Sequence, residues 1–370
     1  MKVFFALDAL INAGTERSTL DIIEHFSDQT RAEVIYFYPR HDLKPAYEKA
    51  GVTLRFIDLK GKYSLMTGAR KMVNLLRKEK PDVVVSSMLR SNLMSRVACY
   101  FTGTKLIGTF ISDSYAEQRI NSFSSKRKKK GDFFKWLDKA TAGIPVQWIS
   151  NSMSIAESNR KALSIKKDKI TTVYRGRSAM MIKQWVPKTK DKFVFAAMGR
   201  LLETKGYLEL INAFRIISDV HPNVVLHIYG EGVLREKMEN KISKSRLNDK
   251  IKLYGSVPEA WNQLYEADCF VFPSWYEGFS GALVEAMMMG IPVIASDIPM
   301  NLEAITENKT ALTHKVKDEA DLAVKMNMMI EGYHEMIGMG LRAREEAIKR
   351  FEIKMIAKQY ENILKTVSEK

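Results

Sequence analysis

Short runs of β-branched and aromatic residues alternate with stretches of helical period, and the alternation occurs twice; no other feature constrains the fold of this chain as much. Lys2–Leu7, Ala32–Tyr38 and Thr53–Asp58 read as strands, with Leu20–Phe26 and Leu43–Ala50 as helical stretches between them. Asp82–Ser87 follows helical Ala69–Lys80, and Lys105–Thr109 and Val146–Ser150 complete the first series. Parallel neighbours need a crossover of a dozen or more residues, usually a helix, so the pattern predicts βαβ units and a parallel sheet. A second series runs through Lys192–Ala197, Asn223–Tyr229, Ile251–Tyr254, Cys269–Pro273 and Pro292–Ala295, with helices expected over Tyr207–Asp219 and Leu234–Lys244.

The polar, proline-containing stretch Lys183–Asp191 separates the series and reads as a linker. The expected architecture is α/β: two Rossmann-like domains, over residues 1–186 and 187–350, whose parallel sheets face each other across a cleft. An amphipathic helical segment from about Glu319 to Thr366 ends the chain, and residues 351–370 are expected to return to the first domain. Ligands of open α/β sheets bind beyond the carboxyl ends of the strands, so the chemistry belongs there.

A length of 370 residues suits two domains, and 46% hydrophobic with 27% charged residues is ordinary globular composition. The two cysteines, Cys99 and Cys269, lie in apolar stretches and provide neither a disulfide framework nor a four-cysteine zinc site. A reduced, cytoplasmic setting is expected. Val3–Leu7 is followed by Asp8, too short an apolar run for a signal-peptide core or a membrane span. The net charge of +15 is uneven: residues 1–187 carry 33 Lys and Arg against 17 Asp and Glu, a net +16, while 188–370 carry 25 against 26, a net −1. A basic half joined to a neutral half points to one domain facing an anionic partner.

Three strand ends carry candidate chemistry. In Phe272–Met287, reading FPSWYEGFSGALVEAM, a strand turns through Gly278 and Gly281 into a helix. The backbone N–H groups of Ser280 to Ala282 would lie unpaired at that helix N-terminus, where the dipole favours a phosphate. Glu277 before the turn and Glu285 a turn into the helix could meet nearby hydroxyls; a capping and a solvated glutamate would read the same way. Met198–Tyr207 places Arg200 and Lys205 between Gly199 and Gly206, a planar fork and a mobile cation suited to a diphosphate on which charge grows. Gly230, Glu231 and Gly232 end another strand, but Arg235 stands where the dinucleotide fingerprint needs glycine, which weakens an NAD reading.

In combination these motifs resemble the retaining glycosyltransferases of family 4, which have the GT-B fold. The matching residues are G-R-x-x-x-x-K-G at Gly199–Gly206, G-E-G at Gly230–Gly232, the E-x7-E pair Glu277/Glu285 and Gly290–Ser296 after it. The resemblance implies that Arg200 and Lys205 hold the donor diphosphate, supported by the amides of Gly281 and Ala282 within the loop Gly278, Phe279, Ser280. It assigns Glu277 to the donor sugar, Glu285 to the nucleotide ribose and Val257 to the base. In the first half it extends to Asn12–Glu16, with Gly14 against donor phosphates and acceptor. Many members have a histidine touching the donor sugar at the end of the strand that here reads Leu106–Ser114; Ser112 and Asp113 are the equivalents in this chain. His221 and His227, in or beside strands of the second half, read as structural.

The expected reaction is transfer of a sugar from a nucleotide-sugar, a UDP-sugar, to a hydroxyl of a glycan or lipid-linked acceptor in cell-surface polysaccharide or glycoconjugate synthesis. The resemblance implies retention by front-face displacement. No D-x-D motif occurs, so neither metal nor cofactor is expected. The basic run Lys126, Arg127, Lys128, Lys129, Lys130, followed by Phe133, Phe134 and Trp136, reads either as a solvated loop with core aromatics behind it or as a contact with an anionic membrane surface. The competing functions are a sugar-nucleotide epimerase of the same fold, which needs acid and base residues not apparent here, and a non-catalytic nucleotide-sugar or nucleic-acid binder. No nucleic acid is expected, because nothing beyond charge suggests one.

Overall fold

The computed structural model describes residues 1–59, 64–115, 125–189 and 191–369; the side chains of residues 125–130 are outside that description. The chain divides into two compact units, Met1–Gly176 with Ile353–Lys370, and Arg177–Glu352.

In the first unit seven parallel strands pair in the order β3-β2-β1-β4-β5-β6-β7. They are β1 Lys2–Leu7, β2 Arg31–Tyr36, β3 Thr53–Phe56, β4 Val83–Ser86, β5 Lys105–Phe110, β6 Gln147–Ser150 and β7 Ile170–Thr172. Helices shield both faces of such a sheet, which is why Val3–Leu7 and Val83–Ser86 are buried without alternation. β7, three residues long, is too short to stand out in the sequence. Gly108 in β5 makes room for the Trp148 ring, which would lie 2.4 Å from an added Cβ. Trp148 in turn stacks on Phe110 with centroids 4.2 Å apart, and the Arg96 guanidinium sits 4.9 Å from its ring.

Three helices, Glu319–Glu331, Tyr333–Phe351 and Ile353–Glu369, occupy the segment expected as one, with breaks at Gly332 and at the extended Glu352. The last packs on the first unit: Tyr360, Leu364 and Val367 are buried, and the Tyr360 ring lies 6.2 Å from Phe5 and 6.5 Å from Phe26. Polar contacts fix its orientation, since Glu361 accepts from the hydroxyls of Ser27 and Thr30.

The second unit orders its strands β10-β9-β8-β11-β12-β13, all neighbours parallel. They are β8 Phe193–Met198, β9 Val224–Tyr229, β10 Ile251–Gly255, β11 Cys269–Phe272, β12 Val293–Ser296 and β13 Leu312–His314. The segment read as a linker begins inside this unit. Trp185 is buried there, its indole Nε1 donating to the Ala267 carbonyl at 2.9 Å and its amide to the Met289 carbonyl at 2.8 Å. Units therefore divide at Gly176 and Arg177, ahead of the expected boundary at residue 186. No helix among the described residues is long and apolar enough to cross a membrane.

Candidate active site

In the second unit the three glycine-bearing strand ends pack backbone against backbone. Gly206 has φ +69°, and a Cβ there would lie 2.1 Å from the Pro273 carbonyl oxygen; at Gly230, φ +147°, a Cβ would lie 1.9 Å from the Gly199 oxygen. Only glycine accepts both the conformation and the approach. Amides then bridge the loops: Gly199 N–H donates to Tyr229, Leu201 N–H to Glu231 and Trp275 N–H to Thr204, each at 2.9 Å. The last bond ties the Arg200/Lys205 loop to the loop of Glu277.

Lys205 Nζ forms an ion pair with Glu277 Oε1, with side chains 17% and 12% exposed, while Arg200 is exposed. Tyr207 lies behind them, and its hydroxyl would be 3.1 Å from a Cβ on Gly199. Burial raises the Tyr207 pKa, the Glu277 charge adding to it, so the phenol stays protonated. The helix Gly281–Met289 starts at Ser280, whose Oγ accepts from Leu283 N–H at 3.4 Å. The first N–H groups of this helix, Gly281 and Ala282 among them, have no intrahelical acceptor, and its dipole adds positive potential at that end.

Glu285 is the one charged residue of that helix, and its neighbours Val284 and Ala286 are fully buried. Its Oε1 accepts from Arg177 Nε at 2.6 Å. Arg177 lay outside every sequence motif: a charged residue in an apolar helix signals that a partner is needed, but not that it stands 108 positions away. Glu231 pairs with Arg235 at 2.5 Å, and Val257 is half-buried in the loop after β10. Gly278 is half-buried, whereas the Phe279 ring is buried against Phe351 with centroids 5.3 Å apart, so only its backbone lies in the loop. Gly232 adjoins Glu231, and its missing Cβ leaves space for the Leu201 carbonyl, 2.3 Å from where it would be.

The other candidates belong to the first unit. Gly14 opens the helix Gly14–Ile23, and Arg175 Nη1 would lie 3.1 Å from a Cβ on it. Ser112 and Asp113 follow β5; the Ser112 carbonyl accepts from Asn159 Nδ2 at 3.4 Å and Asp113 Oδ1 from Tyr115 N–H at 3.3 Å, a turn-capping role. At the end of β1, Asp8 Oδ1 accepts from Ser91 N–H at 3.1 Å and Oγ at 2.5 Å, and burial raises its pKa against those bonds. Among the described residues no three His, Cys, Asp or Glu side chains gather as metal ligands.

Two family models together account for most of the chain. Glycosyltransferase Family 4 matches residues 12–178, and Glycosyl transferases group 1 matches residues 181–350. The capsular polysaccharide biosynthesis glycosyltransferase CapH of Staphylococcus aureus is 26% identical over 82% of this chain and 83% of its own. The UDP-Gal:alpha-D-GlcNAc-diphosphoundecaprenol alpha-1,3-galactosyltransferase of Escherichia coli is 28% identical over 62% of this chain and 61% of its own. Among solved structures, Anabaena Alr3699/HepE in complex with UDP-glucose superposes with a TM-score of 0.85 at 18% identity, covering 99% of this chain and 100% of that one. Two α/β units, each built on a parallel sheet, are the GT-B fold. The chain is a family 4-like glycosyltransferase.

Proposed function

We propose that the protein transfers a sugar from a UDP-sugar to a hydroxyl of a glycan or lipid-linked acceptor, with retention and without metal, in synthesis of a cell-surface polysaccharide or glycoconjugate. The second unit serves the donor and the first the acceptor. The carrying observation is the junction of the Arg200/Lys205 loop with the Glu277 loop at the N-terminus of the helix Gly281–Met289. Two cations and unpaired amides suit a diphosphate leaving group, and such groups act most strongly where charge develops. UDP-glucose in the HepE complex and the UDP-galactose named for the E. coli relative support that donor class.

In front-face displacement the acceptor oxygen bonds to the sugar C1 as the bond from C1 to the phosphate oxygen breaks; that phosphate oxygen takes the acceptor's proton. Glu277 and Glu285 already accept from Lys205 and Arg177, which supports their holding sugar and ribose hydroxyls over serving as the base. Gly14, Ser112 and Asp113, all in the first unit, keep the ligand-contact roles that the family resemblance implies for them. An anionic membrane surface meets the helix Ser125–Thr141, where the Phe133 and Trp136 rings are 58% and 64% exposed instead of packed in the core.

The test is a thermal-shift screen of nucleotide-sugars, then NMR of the product anomer with and without EDTA. Expected are a Tm rising with the logarithm of the stabilising nucleotide-sugar, a product with the donor's anomeric configuration and turnover that survives EDTA. Inversion, or an absolute need for added Mg²⁺ or Mn²⁺, rejects the retaining or the metal-free part respectively; no stabilisation by any nucleotide-sugar rejects the donor.

A further inference from the structure

Arg177 opens the second unit, and its backbone is fixed before its side chain acts. Its amide donates to the Phe351 carbonyl at 2.9 Å, it forms a bridge with Glu352, and the amide of Ala179 donates to the Glu352 carboxylate at 2.9 Å. From that position the guanidinium reaches Glu285 on the helix Gly281–Met289, Nε to Oε1 at 2.6 Å, with side chains 15% and 17% exposed. A planar guanidinium paired with a carboxylate fixes the plane of that carboxylate. With Oε1 engaged by Nε, Glu285 keeps Oε2 and the remaining Oε1 lone pair for hydroxyl donors.

We infer that Arg177 is a positioning residue for nucleotide recognition: it holds the Glu285 carboxylate oriented so that it accepts from the ribose hydroxyls of the donor. This rests on the ribose role of Glu285 proposed above. Arg177 acts on the nucleotide through Glu285. Its loss therefore weakens a ribonucleotide more than a deoxyribonucleotide, because the interaction lost is the one that only the ribose hydroxyls make.

The experiment measures by calorimetry the affinity of the full chain for UDP, 2′-deoxy-UDP and 3′-deoxy-UDP, in wild type, Arg177→Gln, Arg177→Lys and Glu285→Gln, with Tm recorded for each. The wild type is expected to prefer UDP over at least one deoxy analogue by about ten-fold, the scale of a hydrogen bond to a charged group. Arg177→Gln should lose most of that preference while its affinity for the disfavoured analogue stays within about two-fold; Arg177→Lys, which keeps the charge and loses the planar fork, should retain part of it. If Arg177→Gln lowers Tm but keeps the full preference for UDP, the pair is only a staple between the start of the unit and the helix, and the inference fails. Should Arg177→Gln not fold, full preference in Arg177→Lys together with its loss in Glu285→Gln rejects orientation by the planar fork. A wild type that binds UDP without preference removes the ribose role of Glu285, and the inference with it, while leaving the donor class standing. Failure to bind UDP, ADP or GDP overturns the donor reading itself.

Discussion

Lys205 shows how much a single side chain depends on its loop. Its amide donates to Leu202 at 3.0 Å in a 3-10 turn closed by Gly206, and that turn aims the ammonium at Glu277. Replacing Lys205 or Arg200 by alanine is expected to reduce kcat by about 10²–10³, the scale for removing a donor aimed at transition-state charge. Near wild-type kcat in a folded double variant would show that the leaving group is stabilised elsewhere. His314, at the end of β13, permits a second prediction. Burial holds its pKa below the usual 6.5, and Nδ1 donates to the Lys315 carbonyl at 2.9 Å while Nε2 is buried without a partner. Below pH 6.5 the unfolded chain binds a proton there that the folded chain refuses, so this contribution is complete above 6.5 and is lost as pH falls. Urea midpoints measured at about pH 7.5 and about pH 5 should therefore diverge more in wild type than in His314→Gln. Equal pH slopes would assign the acid sensitivity to other groups.

Among the elements, the helix Ser125–Thr141 combines a buried anchor with an apolar outer face. Asp138 pairs with the buried Arg96 at 2.6 Å and accepts from the Tyr115 hydroxyl, while Arg96 Nη1 donates to Thr141 Oγ1 at 2.8 Å. This network holds the helix against Leu89–Thr102 and leaves Phe133 and Trp136 outward, stacked with centroids 6.2 Å apart. Each Lys or Arg near an anionic surface contributes roughly 1 kcal/mol, declining over a Debye length of about 8 Å, and interfacial aromatics add to it. Co-sedimentation should show preference for anionic over neutral vesicles that weakens with salt. Replacing Lys126–Lys130 by Gln should remove the salt dependence, and replacing Phe133 and Trp136 by Ser should weaken binding at every salt. Wild type with no preference for anionic vesicles would leave the basic run a solvated helix start.

For the molecule as a whole, the notable arrangement is that the last helix completes the core of the first unit. Tyr360 contributes a buried aromatic side chain beside Phe5 and Phe26, so Tyr360→Ala should cost about 3–5 kcal/mol, as for other large aromatic deletions. Hydrogen exchange should locate the loss: amides of β1 and β4 are expected to accelerate, with β8 and β11 unchanged. Equal acceleration in both sheets would mean that the two units unfold as one.

The sequence by itself determined the α/β class, the two successive parallel series and the loops of the second unit. Each rests on short-range facts: apolar runs of strand length, glycines at strand ends, and Glu277 and Glu285 eight positions apart around one turn. It did not determine the three-residue strands β7 and β13, which only sheet neighbours stabilise, or the breaks at Gly332 and Glu352. Nor did it say that Phe279 would turn into the core while Phe133 and Trp136 turned out, since an aromatic residue in a loop or helix has no face until something packs on it. The start of the second unit at Arg177, the pairing of Arg177 with Glu285 and the Tyr360 contact with Phe5 join residues 100 or more positions apart. Such pairs carry no local pattern, and their partners were decided only when burial made an unpaired charge or an uncovered ring too costly to keep.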